Sequence, residues 1–470
     1  MGLVLLGLSF ALGCTVLFLG EFVDESEKLS VALLMARGLV LYRDLFSHHF
    51  PFVYDWLAVL FWLMGPSVLV ARWSVLVFQL LTFVLIMRLT RLYTPLGLVA
   101  VLWGAIGHLY GANMALYQTF AALALIAVFV LTLAVLTSWC QLGRGYWLVL
   151  GVFAGVAILS DPGMTVAVSV ALALLTISRT GRHRVLWSLI MLGLILAAYS
   201  VRLALAGVLG DFYRDVIVFN AQVYSRYEGT IRNLLRIVLN SLQRGLDILD
   251  PTLWRSEADY GPIAQYGWLG RRLFDGLLYR LVFILLCLTL LVRRRWLAAM
   301  FAYVFAGAML ARAGTWIRLQ PFTLAALAAA VLIVADGLFA QNLSAPSLAG
   351  WRKIVTITAY RISVGVRFAL VVALLWMAVL GLGRIAVLGW HGHLTYKDNF
   401  GYFMGQAANI KSLACSQDAI LGYYPGHPIV YFYTGLRPVS RYVLMWPLVA
   451  EVAMPDVLAS LQSESAQALT

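Results

Sequence analysis

Long runs of apolar residues dominate the chain, separated by short polar stretches and by glycine and proline. A run of about twenty apolar residues crosses a hydrocarbon core of about 30 Å as an α-helix. The runs lack the short-range alternation that a membrane-spanning β-barrel requires. The pattern therefore predicts about eleven transmembrane helices, near residues 3–20, 68–88, 95–112, 115–137, 146–160, 163–178, 185–206, 277–292, 296–311, 317–336 and 368–390.

Three longer segments interrupt this series, at residues 21–67, 207–276 and 391–470. Residues 51–65 are apolar, but a run of about fifteen residues that contains Asp55 predicts an interfacial or re-entrant helix rather than a span. The last segment alternates short apolar runs with turn residues, which predicts a small α/β domain. The chain is thus expected to divide into a membrane module, residues 1–390, and a C-terminal domain, residues 391–470.

Basic side chains cluster in the short connections on one side of this topology. If the N-terminus lies in the cytoplasm, the inner connections carry thirteen Lys and Arg residues, and the short outer turns at 111–114 and 160–162 carry none. Cytoplasmic connections are enriched in Lys and Arg. The sequence therefore predicts an inner N-terminus, an outer C-terminus, and all three long segments on the outer face.

Composition agrees with a membrane protein and excludes two other classes. Of 470 residues, 62% are hydrophobic and 12% are charged, against roughly half and a quarter in a soluble globular protein. This excludes a soluble domain and a disordered chain. The formal net charge of +13 is interpreted as an excess of Lys and Arg that sets the orientation in the membrane and contacts anionic lipid. It indicates no nucleic-acid partner. The four cysteines form no CxxC pair, so they predict neither a zinc site nor a disulfide framework.

The densest group of acidic residues follows the first span: Glu21, Asp24, Glu25 and Glu27. Glu21 and Glu27 are interpreted as solvated helix ends or caps. Asp24 and Glu25 are candidates for chemistry because of the residues that come after them. A carboxylate that takes a proton from a reacting hydroxyl contributes roughly 10² to 10⁴ in rate.

Those residues carry a resemblance to a known family. Val23-Asp24-Glu25, followed by Leu41-Tyr42-Arg43-Asp44 and then His48-His49-Phe50-Pro51-Phe52-Val53-Tyr54, resembles the first outer loop of the GT-C glycosyltransferases. These are membrane enzymes typified by protein O-mannosyltransferases and aminoarabinose transferases. The closest resemblance is to the bacterial branch that acts on polysaccharides and lipopolysaccharide. Ser160-Asp161-Pro162-Gly163 resembles the family's middle helices, and residues 431–438 resemble its C-terminal domain.

The resemblance implies a fold and an activity. The fold is an all-α polytopic membrane protein with interfacial helices in the first outer loop and a small C-terminal α/β domain. The activity is inverting transfer of a hexosyl or pentosyl group from a polyprenyl-phosphate donor to a hydroxyl of a lipid or glycan acceptor. It would occur on the outer face of a bacterial plasma membrane. Asp24 is the expected general base and Glu25 the reserve.

The resemblance and the topology also give substrate-binding candidates: Asp44, Tyr54, Asp161, Arg226, Arg312 and Arg318. The arginines are candidates because the negative charge of a lipid phosphate grows as the glycosidic bond breaks. The family often has a histidine-tyrosine pair after Arg318, where this chain has Leu319-Gln320. Asp161 is expected either to contact the substrate or to cap the helix that begins at Pro162.

Metal binding has little support in the sequence. The superfamily commonly has a second outer carboxylate near the start of the fourth span, where it can hold a divalent cation. This chain has Asn113, Tyr117 and Gln118 there. A neutral amide is a weak sole ligand for a hard cation. The sequence therefore names no metal ligand and no certain cofactor, and gives only weak support for a divalent cation.

Two other functions stay open at this stage. A catalytically silent GT-C-like subunit or scaffold would explain Gln118 and the missing histidine, but the retention of Asp24 argues against it. A transporter would also be polytopic. Coupled transporters usually carry charged residues within their spans, and these spans contain almost none.

The topology predicts which cysteines an impermeant thiol reagent can reach. Cys415 lies in the C-terminal segment expected outside, and Cys140 lies in a connection expected inside. In intact cells we expect labelling of Cys415, absent in a Cys415→Ser variant, and labelling of Cys140 only after permeabilisation. The reverse pattern would contradict the orientation.

Overall fold

The computed structural model describes residues 1–137, 143–179, 181–224, 277–292, 294–310, 319–335, 351–390, 396–413, 419–420, 428–438, 440–444 and 447–462. Within these ranges the protein is almost entirely helical, and each of the eleven predicted spans coincides with a helix. The membrane module contains α1 (Gly2–Thr15), α2 (Val23–Ala36), α3 (Phe52–Met64), α4 (Val68–Thr90), α5 (Tyr93–Ile106), α6 (Tyr117–Leu136), α7 (Arg144–Ser160), α8 (Thr165–Ile177), α9 (Val185–Leu205), α10 (Leu209–Phe212), α11 (Leu277–Val292), α12 (Trp296–Leu310), α13 (Gln320–Ala335) and α14 (Trp351–Trp390). The module also contains short 3₁₀ turns at Gly107–Tyr110 and Pro162–Met164 and π-helical turns at Tyr213–Val218 and Asn220–Tyr224.

Among the described residues, four helices are long and apolar enough to cross a membrane: Val68–Thr90, Tyr117–Leu136, Val185–Leu205, and Arg367–Val387 within α14. Burial separates the centre of the bundle from its perimeter. An 18-residue apolar stretch of α6 is 100% buried, whereas the corresponding stretch of α9 is 11% buried. Apolar surface that is exposed on a membrane helix faces lipid. Helix α6 is therefore the central helix, and α9 lies at the lipid boundary.

Small residues let α5 approach two of its neighbours closely. A Cβ atom added at Gly104 of α5 would lie 3.0 Å from the Ser9 carbonyl oxygen of α1. The Ser9 hydroxyl donates a hydrogen bond of 2.6 Å to the Ala100 carbonyl of α5. A Cβ at Gly381 of α14 would lie 2.3 Å from the Ala105 carbonyl oxygen. Small residues at helix contacts are typical of membrane proteins, and here they bring α5 close to α1 and to α14.

Helix α3 has one face packed on protein and one apolar face exposed. Val53, Tyr54, Leu57 and Phe61 are buried, whereas its C-terminal end exposes apolar side chains: Val59, Trp62, Leu63 and Met64. This 13-residue helix spans only about 20 Å. Its length and its two faces suit a helix that lies at the lipid boundary, as the sequence predicts.

The C-terminal segment packs on α2 and contains α15 (Tyr396–Leu413), α16 (Ile429–Thr434) and α17 (Pro447–Gln462). Two strands, β1 (Ala419–Ile420) and β2 (Arg437–Pro438), form a parallel ladder. In the described part of this segment, the expected α/β character is limited to that two-residue ladder. The Ser30 hydroxyl of α2 donates 2.7 Å to the Pro428 carbonyl, and Arg37 donates to the Gly435 carbonyl. The domain boundary near residue 391 stays a prediction.

An ion pair between Asp55 and Arg202 joins α3 to α9. Asp55 lies in the first turn of α3 and Arg202 in the last turn of α9, where each charge is favoured by its helix dipole. Burial raises the pKa of Asp55 to about 6, although Arg202 favours the charged form. Because this pKa is higher in the folded than in the unfolded chain, the stability contributed by Asp55 falls as the pH rises through about 4 to 6.

Loss of Arg202 should therefore destabilise the protein in a pH-dependent way. In an Arg202→Met variant, Asp55 is an unpaired carboxylate at pH 8 and is mostly protonated at pH 5. We expect the melting temperature to fall more at pH 8 than at pH 5, and the double variant with Asp55→Asn to lose this difference. Arg88→Met, at an exposed position of α4, is the control. An equal decrease at both pH values would contradict the pairing.

Candidate functional site

The first turn of α2 carries Asp24 and Glu25 directly after the end of α1. Acidic side chains are favoured in the first turn of a helix because they oppose its dipole. Adjacent residues on an α-helix point about 100° apart. The two carboxylates therefore have different surroundings, and the structure distinguishes them clearly.

Glu25 is bound in a closed network and is only 1% exposed. The Arg72 Nε of α4 donates 3.0 Å to Glu25 Oε1, and a second guanidinium nitrogen contacts Oε2. The Ala115 backbone N–H also donates 2.8 Å to Oε1. Glu25 therefore links α2 to α4 and to the segment before α6, and its carboxylate is fully occupied.

Arg72 is 0% exposed, and its other donors bind the residues that follow α1. They reach three backbone carbonyls, those of Leu17 at 2.8 Å, Leu19 at 2.9 Å and Gly20 at 2.7 Å. A buried charge is stable only when it is paired and hydrogen-bonded. The sequence analysis missed Arg72 as a functional residue, although a lone arginine inside an apolar span signals an acidic partner.

Asp24 differs from Glu25 in that its carboxylate is half-buried and forms no hydrogen bond or ion pair within the described ranges. The neighbouring Glu21 accepts a hydrogen bond from Ser26. Of the two sequence candidates for the base, Asp24 has the available carboxylate.

A second polar network lies further along α2. The Ser47 hydroxyl donates 2.8 Å to the Tyr54 oxygen, and the Tyr54 hydroxyl donates 2.6 Å to Glu27 Oε1. The Lys28 ammonium pairs with Glu27 Oε2. All four residues are buried, so the interpretation of Glu27 as a solvated carboxylate or cap was wrong. Burial, together with Glu27, raises the pKa of the Tyr54 hydroxyl.

Aromatic rings surround the Lys28 ammonium. Its nitrogen lies 5.8 Å from the centre of the Tyr54 ring and 5.3 Å from that of Tyr117. The Tyr117 ring lies 4.4 Å from His49, which lies 3.9 Å from His48. The described residues contain no cluster of three or more His, Cys, Asp or Glu side chains arranged to hold a metal.

The remaining candidates have partners of their own or lie outside the described ranges. Asp44 accepts 2.8 Å from the Val40 backbone N–H and pairs with Arg43, whose hydrogen bond lowers the pKa of Asp44. Asp161 accepts 2.9 Å from the Gly163 backbone N–H and caps the turn at Pro162–Met164, as the capping alternative predicts. Residues outside the described ranges include Arg226, Arg312 and Arg318.

Asp44 also lines a groove between the residues that follow α2 and the C-terminal segment. The groove has a volume of about 570 Å³, and its other polar walls are Arg437, Ser440, Arg441, Asp456 and Ser460. Arg441 joins the two segments, because it donates 3.0 Å to the Tyr42 carbonyl and pairs with Asp215. The groove begins beyond the C-terminal end of α2, whereas Asp24 lies at the N-terminal end.

The Glu25–Arg72 pair should stabilise the folded protein. Arg72→Met leaves a buried, unpaired carboxylate, and the free energy of unfolding should fall by about 3 to 5 kcal/mol. Adding Glu25→Gln should recover part of this loss, because the amide oxygen still accepts from Ala115. Thermal unfolding in detergent measures both effects, with the exposed Arg88→Met of the same helix as control. A neutral effect of Arg72→Met would refute the network.

Comparison with known proteins supports the architecture. No protein-family model and no curated protein sequence matches the chain. Two crystal structures of ArnT from Cupriavidus metallidurans share its fold. The one bound to undecaprenyl phosphate has a TM-score of 0.57 at 16% identity, covering 96% of this chain and 87% of that chain. The apo structure has a TM-score of 0.52 at 15% identity, covering 97% and 88%.

ArnT is an aminoarabinose transferase of the GT-C class. The likeness covers nearly the whole chain and confirms the predicted fold class. The protein is a predominantly helical, polytopic integral membrane protein with a GT-C-like fold.

Proposed function

We propose that the protein is a glycosyltransferase that moves a hexosyl or pentosyl group from a polyprenyl-phosphate donor to a hydroxyl of a lipid or glycan acceptor. The reaction takes place on the outer face of a bacterial plasma membrane, with the N-terminus in the cytoplasm and the C-terminus outside. The fold likeness to an ArnT bound to undecaprenyl phosphate supports the donor class. The positions of the polar side chains on α2 support the chemistry.

The contrast between Asp24 and Glu25 carries this proposal. A general base needs a carboxylate with a free lone pair within reach of the acceptor hydroxyl. Glu25 accepts from Arg72 and Ala115, and Asp24 has no partner in the described part of the chain. The Glu25 network also holds the first turn of α2 and so fixes the position of Asp24.

The proposed reaction is a single inverting displacement. Asp24 takes the proton of the acceptor hydroxyl as its oxygen attacks the anomeric carbon. The bond from that carbon to the phosphate oxygen breaks on the opposite face, and polyprenyl phosphate leaves with the electron pair. Configuration at the anomeric carbon is therefore inverted. Negative charge grows on the departing phosphate, so a nearby cation accelerates the step.

Helix α3 suits a lipid-linked donor because it carries both kinds of surface. Tyr54, near its start, belongs to the buried polar network beside α2. Its far end exposes Trp62, Leu63 and Met64. An isoprenoid chain has to stay in hydrocarbon as its phosphate reaches polar groups at the interface. The two ends of α3 meet these two requirements on one short helix.

Asp24→Asn should abolish transfer and leave the fold intact. The amide keeps the shape of the side chain and loses its basicity, so we expect kcat to fall by about 10² to 10⁴. The assay follows sugar transfer from a polyprenyl-phosphate donor in membranes, with melting temperature as the folding check. Asp211→Asn, at a half-buried aspartate in the first turn of α10, is the matched control.

Three other outcomes have distinct meanings. If Asp24→Asn kept its transfer activity and folded Glu25→Gln lost it, Glu25 rather than Asp24 would be the general base. Activity in both variants would refute the general-base mechanism. No transfer by the wild-type protein with any polyprenyl-phosphate sugar would favour the silent-subunit or transport function.

A further inference from the structure

The Lys28 ammonium is a buried cation whose hydrogen bonds are incomplete. Lys28 is 1% exposed, and an ammonium group has three N–H donors and no acceptor. Within the described ranges its one hydrogen-bond partner is Glu27. The rings of Tyr54 and Tyr117 stabilise the charge by cation-π contact but accept no conventional hydrogen bond there. Two donors therefore remain for a ligand.

Lys28 lies on the same side of α2 as Asp24. Residues four apart on an α-helix are neighbours, and side chains on a helix lean toward its N-terminus, which here is the end that carries Asp24. The lysine stem has four carbons and moves its charge easily. Lys28 and the half-buried Asp24 therefore share one side of α2 at its N-terminal end.

Arg72, the other buried cation next to α2, cannot take this role. It binds Glu25 and three backbone carbonyls, so its donors are already used. Lys28 has one carboxylate partner, and that carboxylate accepts a second hydrogen bond, from Tyr54. Glu27 therefore keeps a partner when Lys28 turns toward a ligand.

We propose that Lys28 binds the phosphate of the lipid-linked donor and stabilises its negative charge as the sugar leaves. This inference rests on the proposed function, because it assigns a residue to the donor phosphate of that reaction. Phosphate oxygens only accept hydrogen bonds when ionised, and the free groups of Lys28 only donate. The surrounding tyrosine rings exclude water, which strengthens the interaction between the charges.

The test measures lipid binding to the purified full chain in detergent, with undecaprenyl phosphate and the uncharged alcohol undecaprenol as probes. Wild-type protein should bind the phosphate lipid more tightly than the alcohol. Lys28→Met should weaken binding of undecaprenyl phosphate about tenfold or more and leave binding of undecaprenol unchanged. Lys411→Met, which removes an exposed lysine of α15, should change neither affinity.

A second variant separates a ligand role from a purely structural pair. Glu27→Gln keeps an acceptor for Tyr54 and removes the charge that competes for Lys28. On this proposal its affinity for undecaprenyl phosphate is higher than that of the wild type. If Lys28 served only to pair with Glu27, this variant would not gain phosphate affinity, and Lys28→Met would keep the wild-type preference. If Lys28→Met fails to fold, Glu27→Gln alone tests whether Lys28 binds the phosphate.

The outcomes distinguish this inference from the proposed function. Equal binding of undecaprenyl phosphate and undecaprenol by wild-type protein would overturn both. A preference for the phosphate lipid that persists in folded Lys28→Met would overturn the role of Lys28 and leave the proposed function standing. Loss of the phosphate preference in folded Glu27→Gln would also overturn the role of Lys28.

Discussion

The buried ion pair between Glu25 and Arg72 is the interaction on which the candidate site of this membrane protein depends. It joins the residues that follow α1, the first turn of α2, the N-terminal part of α4 and the segment that leads into α6. Such a pair is strongly destabilising to break, because the remaining charge has no partner in a nonpolar interior. Its presence fixes α2 against α4, the residues after α1 and the segment before α6.

This arrangement gives two adjacent carboxylates different tasks. Glu25 holds the helix in position, and Asp24, one residue earlier, keeps a carboxylate that is half-buried and available. The same helix then presents Lys28 one turn later, beside a face of α3 that is polar near Tyr54 and apolar toward Met64. An available carboxylate, a buried ammonium and an exposed apolar surface therefore lie on two short helices that precede α4. For the proposed reaction, these are the groups that a hydroxyl acceptor, a phosphate and an isoprenoid chain require.

Much of the fold could be predicted from the sequence, because its strongest signal is the length of the apolar runs. The positions of the spans and the short helix after Pro51 follow from that signal. The surroundings of the polar residues could not be predicted in the same way. Arg72 lies inside an apolar run, and its partner Glu25 is 47 residues away. Glu27 has the sequence context of a solvated helix end, but the packing of Tyr54 and Lys28 buries it.

The central claim is that Glu25 is structural, that Asp24 keeps a carboxylate available to the acceptor hydroxyl, and that Lys28 binds the donor phosphate. An experimental structure of the full chain with undecaprenyl phosphate bound tests it most directly. The account predicts the phosphate beside α2, with Lys28 turned toward it, Glu25 still paired with Arg72 and Asp24 without an ion pair. A phosphate bound away from α2, or Asp24 held in an ion pair of its own, would contradict the account.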